Sequence, residues 1–173
     1  DHFNNSNLET NSQSTGGMKV SQDGTLLGYS TIFHGNATDI DPVLYLWNFD
    51  DMTGVITPHS STITNPSNFE YTGHSVEFSP GGDFIYATMG EAIIQFNTAD
   101  INTGRYFVHG NNAAGFNGLE STLQLGMDGK IYVSRTVAGG ILNGHDLSVI
   151  NSPNQPGVSC NFVLNQLNLA GSI

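Results

Sequence analysis

Basic residues are nearly absent: four Lys and Arg stand against fifteen Asp and Glu, for a formal net charge of -11. That balance opposes approach to phosphate backbones and anionic lipid, so nucleic acid is excluded as an expected partner. Cysteine is reduced to one residue, Cys160, which rules out an intramolecular disulfide. Its setting, Val158-Ser159-Cys160-Asn161-Phe162, reads as a buried strand position. No apolar run is long enough to span a bilayer, and no basic segment with an apolar core opens the chain. The expectation is therefore a soluble chain without direct membrane insertion, already processed if it is exported. Ala, Glu, Lys and Arg are scarce, so surface helices would have to be built from poor helix formers. Gly, Asn, Ser and Thr are abundant instead, and an all-β fold is expected. The 173 residues are enough for one domain with a core, and no stretch reads as an interdomain linker.

What is present is repetition. Val20-Ser21-Gln22-Asp23-Gly24-Thr25-Leu26-Leu27, Phe78-Ser79-Pro80-Gly81-Gly82-Asp83-Phe84-Ile85 and Leu125-Gly126-Met127-Asp128-Gly129-Lys130-Ile131-Tyr132 are variants of one pattern. In each, an apolar run meets a short turn containing Gly and a second apolar run follows, the signature of a tight β-hairpin with a positive-φ turn position. The copies start 58 and then 47 residues apart, a spacing used by propeller blades with loop insertions. A second motif keeps phase with the first. Leu46-Trp47-Asn48-Phe49-Asp50-Asp51-Met52-Thr53-Gly54 aligns with Gln95-Phe96-Asn97-Thr98-Ala99-Asp100-Ile101-Asn102-Thr103-Gly104, and Val149-Ile150-Asn151-Ser152-Pro153-Asn154 is a looser third copy. Asn, Asp and Gly at these places close turns through side-chain-to-backbone hydrogen bonds and left-handed backbone.

These signals predict about three four-stranded antiparallel blades, an incomplete propeller ring within residues 18–173, after a polar tail or stray edge strand at 1–17. The first blade, 18–57, has strands near 18–21, 26–33, 43–49 and 54–57, with an insertion at 34–42. A connector at 58–72 carries Phe69 and Tyr71 as docking candidates. The second blade, 73–109, has strands near 75–79, 84–89, 92–97 and 105–109. There Phe84, Tyr86 and Thr88 alternate with Ile85, Ala87 and Met89, so the two sets face opposite ways. The third, 119–169, has strands near 121–125, 130–136, 147–151 and 161–165. Apolar residues on both faces fit sheets packed against sheets on either side.

No nucleophile–base pair is legible, and no catalytic residue is expected. The six histidines, His2, His34, His59, His74, His109 and His145, are scattered singly without zinc-site spacing. Asp39 with Asp41 and Asp50 with Asp51 are the weak metal candidates. Ca²⁺ is the ion their oxygens would suit, but the twelve-residue calcium loop is missing and solvated turn acids are the favoured reading. No cofactor is expected. The loops at 34–42, 110–118 and 137–145 supply the binding candidates His34, Asn36, Asp39, Asn111, Asn112, Phe116, Asn143 and His145, since recognition concentrates on loops carried by a rigid scaffold.

Taken together, Met18-Lys19-Val20-Ser21 with Asp23-Gly24, Leu44-Tyr45-Leu46-Trp47-Asn48-Phe49-Asp50 with Thr53-Gly54-Val55-Ile56, His74-Ser75-Val76-Glu77-Phe78-Ser79-Pro80, Leu123-Gln124-Leu125-Gly126-Met127-Asp128-Gly129-Lys130-Ile131-Tyr132-Val133 and Gly157-Val158-Ser159-Cys160-Asn161-Phe162 resemble WD40-like propeller repeats of the YVTN type. Such repeats occur in exported surface proteins of the Bacteroidota, and the similarity is greatest to the C-terminal part of a propeller in proteins associated with gliding motility and type IX secretion. The resemblance implies a secreted or outer-cell-surface location and a non-catalytic module for protein or glycan binding or extracellular assembly. It also implies six or seven blades, so about three must belong to a larger protein or be completed by neighbouring chains. The partners expected are other protein chains, copies of this one included, with glycan as the alternative class. Two further readings stay open: a subunit of a self-assembling extracellular filament, and a fragment of a lactonase- or quinoprotein-like propeller enzyme, which the repeats also resemble.

Overall fold

A computed structural model describes residues 16–36, 39–59, 63–64, 73–89, 92–110, 121–135 and 146–169, and within them every side chain outside 32–36, 39–43, 63–64, 73–74, 121 and 135. The described chain is all-β and forms three antiparallel sheets. The first contains β1 (Gly16–Val20), β2 (Leu26–Asn36), β3 (Asp39–Asp50) and β4 (Val55–Pro58) in chain order, with β5 (Ile63–Thr64) also paired to β3. The second is β6 (Gly73–Phe78), β7 (Phe84–Met89), β8 (Ala92–Asn97) and β9 (Arg105–His109). The third is β10 (Ser121–Leu125), β11 (Ile131–Arg135), β12 (Asp146–Ile150) and β13 (Phe162–Asn168). In each, four successive strands form a meander in which neighbours in sequence are neighbours in the sheet; β5 alone departs from that order.

The repeated sequence pattern becomes a repeated turn. Gly24 N–H donates to the Ser21 carbonyl at 2.9 Å, Gly82 to Ser79 at 2.9 Å and Gly129 to Gly126 at 3.1 Å. The three glycines have φ of 74°, 77° and 76°, a left-handed conformation that a Cβ penalises. The Ser21 and Ser79 hydroxyls add a second closure by accepting from Leu26 N–H at 2.9 Å and Phe84 N–H at 3.2 Å. Asp50 and Asp100 close the turn after the third strand in the same way. Asp50 accepts from the Met52 and Thr53 amides, and Asp100 from the Asn102 and Thr103 amides.

Strand alternation then builds two cores. Between the first and second sheets lie Leu44, Leu46, Val76, Phe78, Ile85, Ala87, Met89, Ile94 and Phe96. Between the second and third lie Phe84, Tyr86, Ile93, Leu123, Ile131, Val133, Ile150 and Cys160. The second sheet is therefore buried on both faces, and the split of β7 into Phe84/Tyr86 and Ile85/Ala87/Met89 follows the expected alternation. Contacts run from β1 to β6 and from β6 to β10, so the first strands of the three sheets lie side by side.

Three sequence expectations need correction. The insertion at 34–42 is a continuation of the hairpin: β2 and β3 stay paired through His34↔Ile40 and Asn36↔Asp39. Pro42 is accommodated because β5 pairs with β3 only at Val43 and Leu44, which leaves the proline beside one described neighbour and its missing N–H without a ladder to break. Within the expected connector 58–72, β5 gives the first sheet a fifth strand. Cys160 is buried as expected, but it closes the 3-10 turn Gly157–Cys160 and is not in a strand. Asn161, at φ 56°, ends that turn and sends the chain into β13. Phe69 and Tyr71 lie outside the described residues.

Gly28 illustrates how close the first two sheets come. A Cβ there would collide with the Ile85 side chain and sit 3.3 Å from the Phe78 ring. Gly28→Ala is expected to cost about 1–3 kcal/mol by overpacking, read as a lower denaturation midpoint. Combining it with Ile85→Ala should cost less than the sum of the two single changes, because the second makes room for the first.

Candidate functional site

The two end sheets each have an outer face with no sheet packed on it among the described residues. Cross-strand register places Leu27 opposite Trp47, and Tyr29 opposite Tyr45, on the outer face of the first sheet. Met18 pairs with Tyr29, and Val20 with Leu27, on that same face. Tyr45 and Trp47 are two residues apart on β3 and stack at 5.4 Å between centroids with planes 4° apart. Tyr29 lies 6.2 Å from Tyr45 and 6.4 Å from Trp47. These spacings fall in the range of offset aromatic pairs. The result is an aromatic ladder, partly solvent-exposed, bordered by the exposed aliphatic chains of Met18 and Val20.

Comparison of equivalent repeat positions shows what such a face normally meets. Met18 and Val20 are 65% and 42% exposed, whereas their second-sheet equivalents Val76 and Phe78 are each 1% exposed beneath the first sheet. Tyr45 and Trp47 likewise correspond to Ile94 and Phe96, both buried. The outer face of the first sheet thus has the residue pattern of an interior surface and the exposure of an exterior one.

The outer face of the third sheet is more polar. Thr122 pairs with Ser134, Gln124 with Tyr132, Tyr132 with Val149 and Val149 with Val163. Their second-sheet equivalents Ser75, Glu77, Tyr86 and Thr88 are buried and form the seam to the third sheet. Leu123 N–H donates to Ser75 Oγ at 3.0 Å, and Leu125 N–H to Glu77 Oε2 at 2.9 Å. Tyr86 donates its hydroxyl to the Pro153 carbonyl at 2.8 Å and accepts from Gln95 Nε2 at 2.7 Å; Gln95 also bonds the Gln155 carbonyl and the Gly157 amide. Burial, with the nearby Cys160 acting the same way, pushes the Tyr86 phenol well up, and burial also raises the Cys160 thiol. Both shifts favour the neutral forms, in which the Tyr86 hydroxyl keeps its proton to donate to the Pro153 carbonyl.

The sequence places its binding candidates on loops. Of these, Asn111, Asn112, Phe116, Asn143 and His145 lie outside the described residues. His34, Asn36 and Asp39 gather at the tip of the β2–β3 hairpin, and Asp41 follows on β3, with backbone alone described for all four. Asp50 is occupied with its turn amides, and the Asp51 carboxylate packs against Gly24. Among the described residues no three His, Cys, Asp or Glu side chains gather as a metal-binding group, and no helix is long and apolar enough to cross a membrane. The aromatic ladder was missed, although the alternation Val43, Tyr45, Trp47, Phe49 already set these residues on one side of a strand. No family model, no curated protein and no solved structure matches the chain.

The turn carboxylates carry a pH signature. The Ser21 hydroxyl, then the Thr25 amide and hydroxyl, hold Asp23 below the usual carboxylate range; the Thr53 side chain and amide do so for Asp50, Thr103 for Asp100 and the Tyr132 hydroxyl for Asp128. A carboxyl depressed in the folded state stabilises above its unfolded pKa of about 3.9 and loses that contribution as pH falls through its folded value. By proton linkage, the denaturation midpoint is expected to hold steady above about pH 5 and to decline below about pH 4. Asn at all four positions should flatten the decline; an unchanged slope would assign it to other groups.

Proposed function

We propose that the three sheets are consecutive blades of a β-propeller and that the chain is a non-catalytic interaction module which recognises another polypeptide through the outer face of its first sheet. The observation that carries this reading is the exposure of Met18, Val20, Tyr29, Tyr45 and Trp47 at repeat positions that are interior in the next sheet. The blade reading draws support from the common left-handed glycine turn, the identical meander order and the side-by-side first strands β1, β6 and β10. The resemblance of the repeats to those of exported Bacteroidota surface proteins makes the module a secreted or surface-displayed one. The acidic, lysine-poor composition suits solubility there.

Polypeptide is favoured over glycan by ring geometry. Tyr45 and Trp47 lie against one another with planes 4° apart, so the ring faces between them are already used, while sugar-stacking platforms need ring faces turned to the ligand. An aromatic–aliphatic sheet face with interior-like composition instead matches the face of another sheet.

Site-specific photocrosslinking tests the reading. A photoreactive amino acid replacing Tyr45 in the exported protein is expected to form adducts that mass spectrometry maps to a defined polypeptide segment. The same group in place of Thr103, on an exposed turn, should form none. Equal labelling from both sites, or adducts with glycan alone, would contradict it.

A further inference from the structure

We infer that the polypeptide bound at the first sheet is a second copy of this chain, which seats the outer face of its third sheet on the aromatic face. The inference rests on the blade reading above and supplies its partner.

One molecule carries both halves of an inter-sheet seam. In the seam between the second and third sheets, the donors are amides that point off the edge of β10, from Leu123 and Leu125, and the acceptors are the Ser75 hydroxyl and the Glu77 carboxylate on β6. The turn bonds fix the equivalence of positions, since Ser21, Ser79 and Gly126 each pair their N–H across the hairpin, with the carbonyls of Leu26, Phe84 and Lys130. Two and four residues earlier in each copy the amides pair inward again, and the intervening amides point outward. On β1 the outward amides belong to Met18 and Val20. On β10 the positions equivalent to Ser75 and Glu77 are Thr122 and Gln124, whose exposed side chains carry a hydroxyl and an amide carbonyl, two acceptors of the required kind. Gln124 Oε1 accepts from Lys19 Nζ at 3.1 Å and has a second lone pair for a backbone donor.

The apolar parts correspond as well. Tyr132 lies on the third sheet's outer face where Tyr86 lies on the second, with Leu147, Val163 and Leu167 extending the apolar strip around Val149, which is itself only 1% exposed. Val163 and Leu167 are 37% and 38% exposed. Docking the third sheet of one copy on the first sheet of another continues the established order of sheets across the chain boundary. The contact is heterologous, so it closes into a ring or extends in series according to the angle between sheets.

Trp47 is the only tryptophan, so its emission reports on this face alone. Light scattering of the 173-residue chain over a wide concentration range is expected to give a mass at least twice that of the 18.5 kDa chain. Trp47 emission should shift to the blue with the same midpoint. Met18→Lys and Ser134→Lys alter exposed side chains on the two faces, and each alone should weaken association at least tenfold. Mixing the two variants should restore a heterodimer, because each retains the half that the other lacks. A wild-type chain that stays monomeric with unchanged emission overturns the inference, and so does association that survives Ser134→Lys. If the chain is monomeric while the Tyr45 photoprobe labels a different polypeptide, the recognition role stands and the second copy does not.

Discussion

Backbone amides that point off the edge of a first strand must find an acceptor, and at the seam between the second and third sheets they find it on the neighbouring sheet. Glu77 is the centre of that arrangement. Its side chain is 6% exposed and takes Leu125 N–H at 2.9 Å, Phe78 N–H at 3.2 Å and Lys19 Nζ at 3.1 Å. A buried carboxylate is stable only when its lone pairs are used, and here the partners come from all three sheets. The position is filled by Lys19 in the first sheet and Gln124 in the third, which explains a local difference. Lys19 cannot accept a hydrogen bond, so Phe78 N–H, the equivalent of Leu125 N–H, turns to its own neighbour Glu77 instead.

The two seams are built on different physics from one template. Tyr86 occupies in the second sheet the position of Gly28 in the first. Where the glycine stands, Ile85 and Phe78 close in and the seam is apolar. Where the tyrosine stands, its hydroxyl, Gln95 and the backbone of Pro153, Gln155 and Gly157 form a satisfied polar network, which fixes the third sheet at one height against the second. Asn154 adds a bond to Gly81 N–H at 2.8 Å, tying the loop after β12 to the repeated turn of the second sheet. Close packing and a wired seam together make the sheets a rigid support for whatever the outer faces meet.

Most strand positions were legible because the turns announce themselves: Gly24, Gly82 and Gly129 need a conformation that few other residues tolerate, and Asp50 and Asp100 need backbone amides two and three residues ahead. Inward and outward assignments in β7 followed from alternation alone. The extension of β2 and β3 was hidden because Gly35, Asn36, Asp39, Asp41 and Pro42 are individually turn signals, and only pairing across the hairpin overrides them. Gln95 gave no sign of its role, since its partners are backbone groups of residues 155 and 157, sixty positions away. The aromatic face went unnoticed for a different reason. An apolar residue on a strand reads as core, and whether a neighbour covers it is a property of the assembled sheets, not of local sequence.

The central claim is that the third sheet is fixed to the second by first-strand amides donating to side chains of the preceding sheet. Residue-resolved hydrogen exchange at Leu123 and Leu125 tests it most directly, because these amides lie at a sheet edge and have no strand partner to protect them. Protection comparable to Val133, inside the third sheet, with selective loss at Leu125 in Glu77→Ala, is the predicted result. Exchange at both amides as fast as at an open strand edge, in the unaltered protein, would contradict the account.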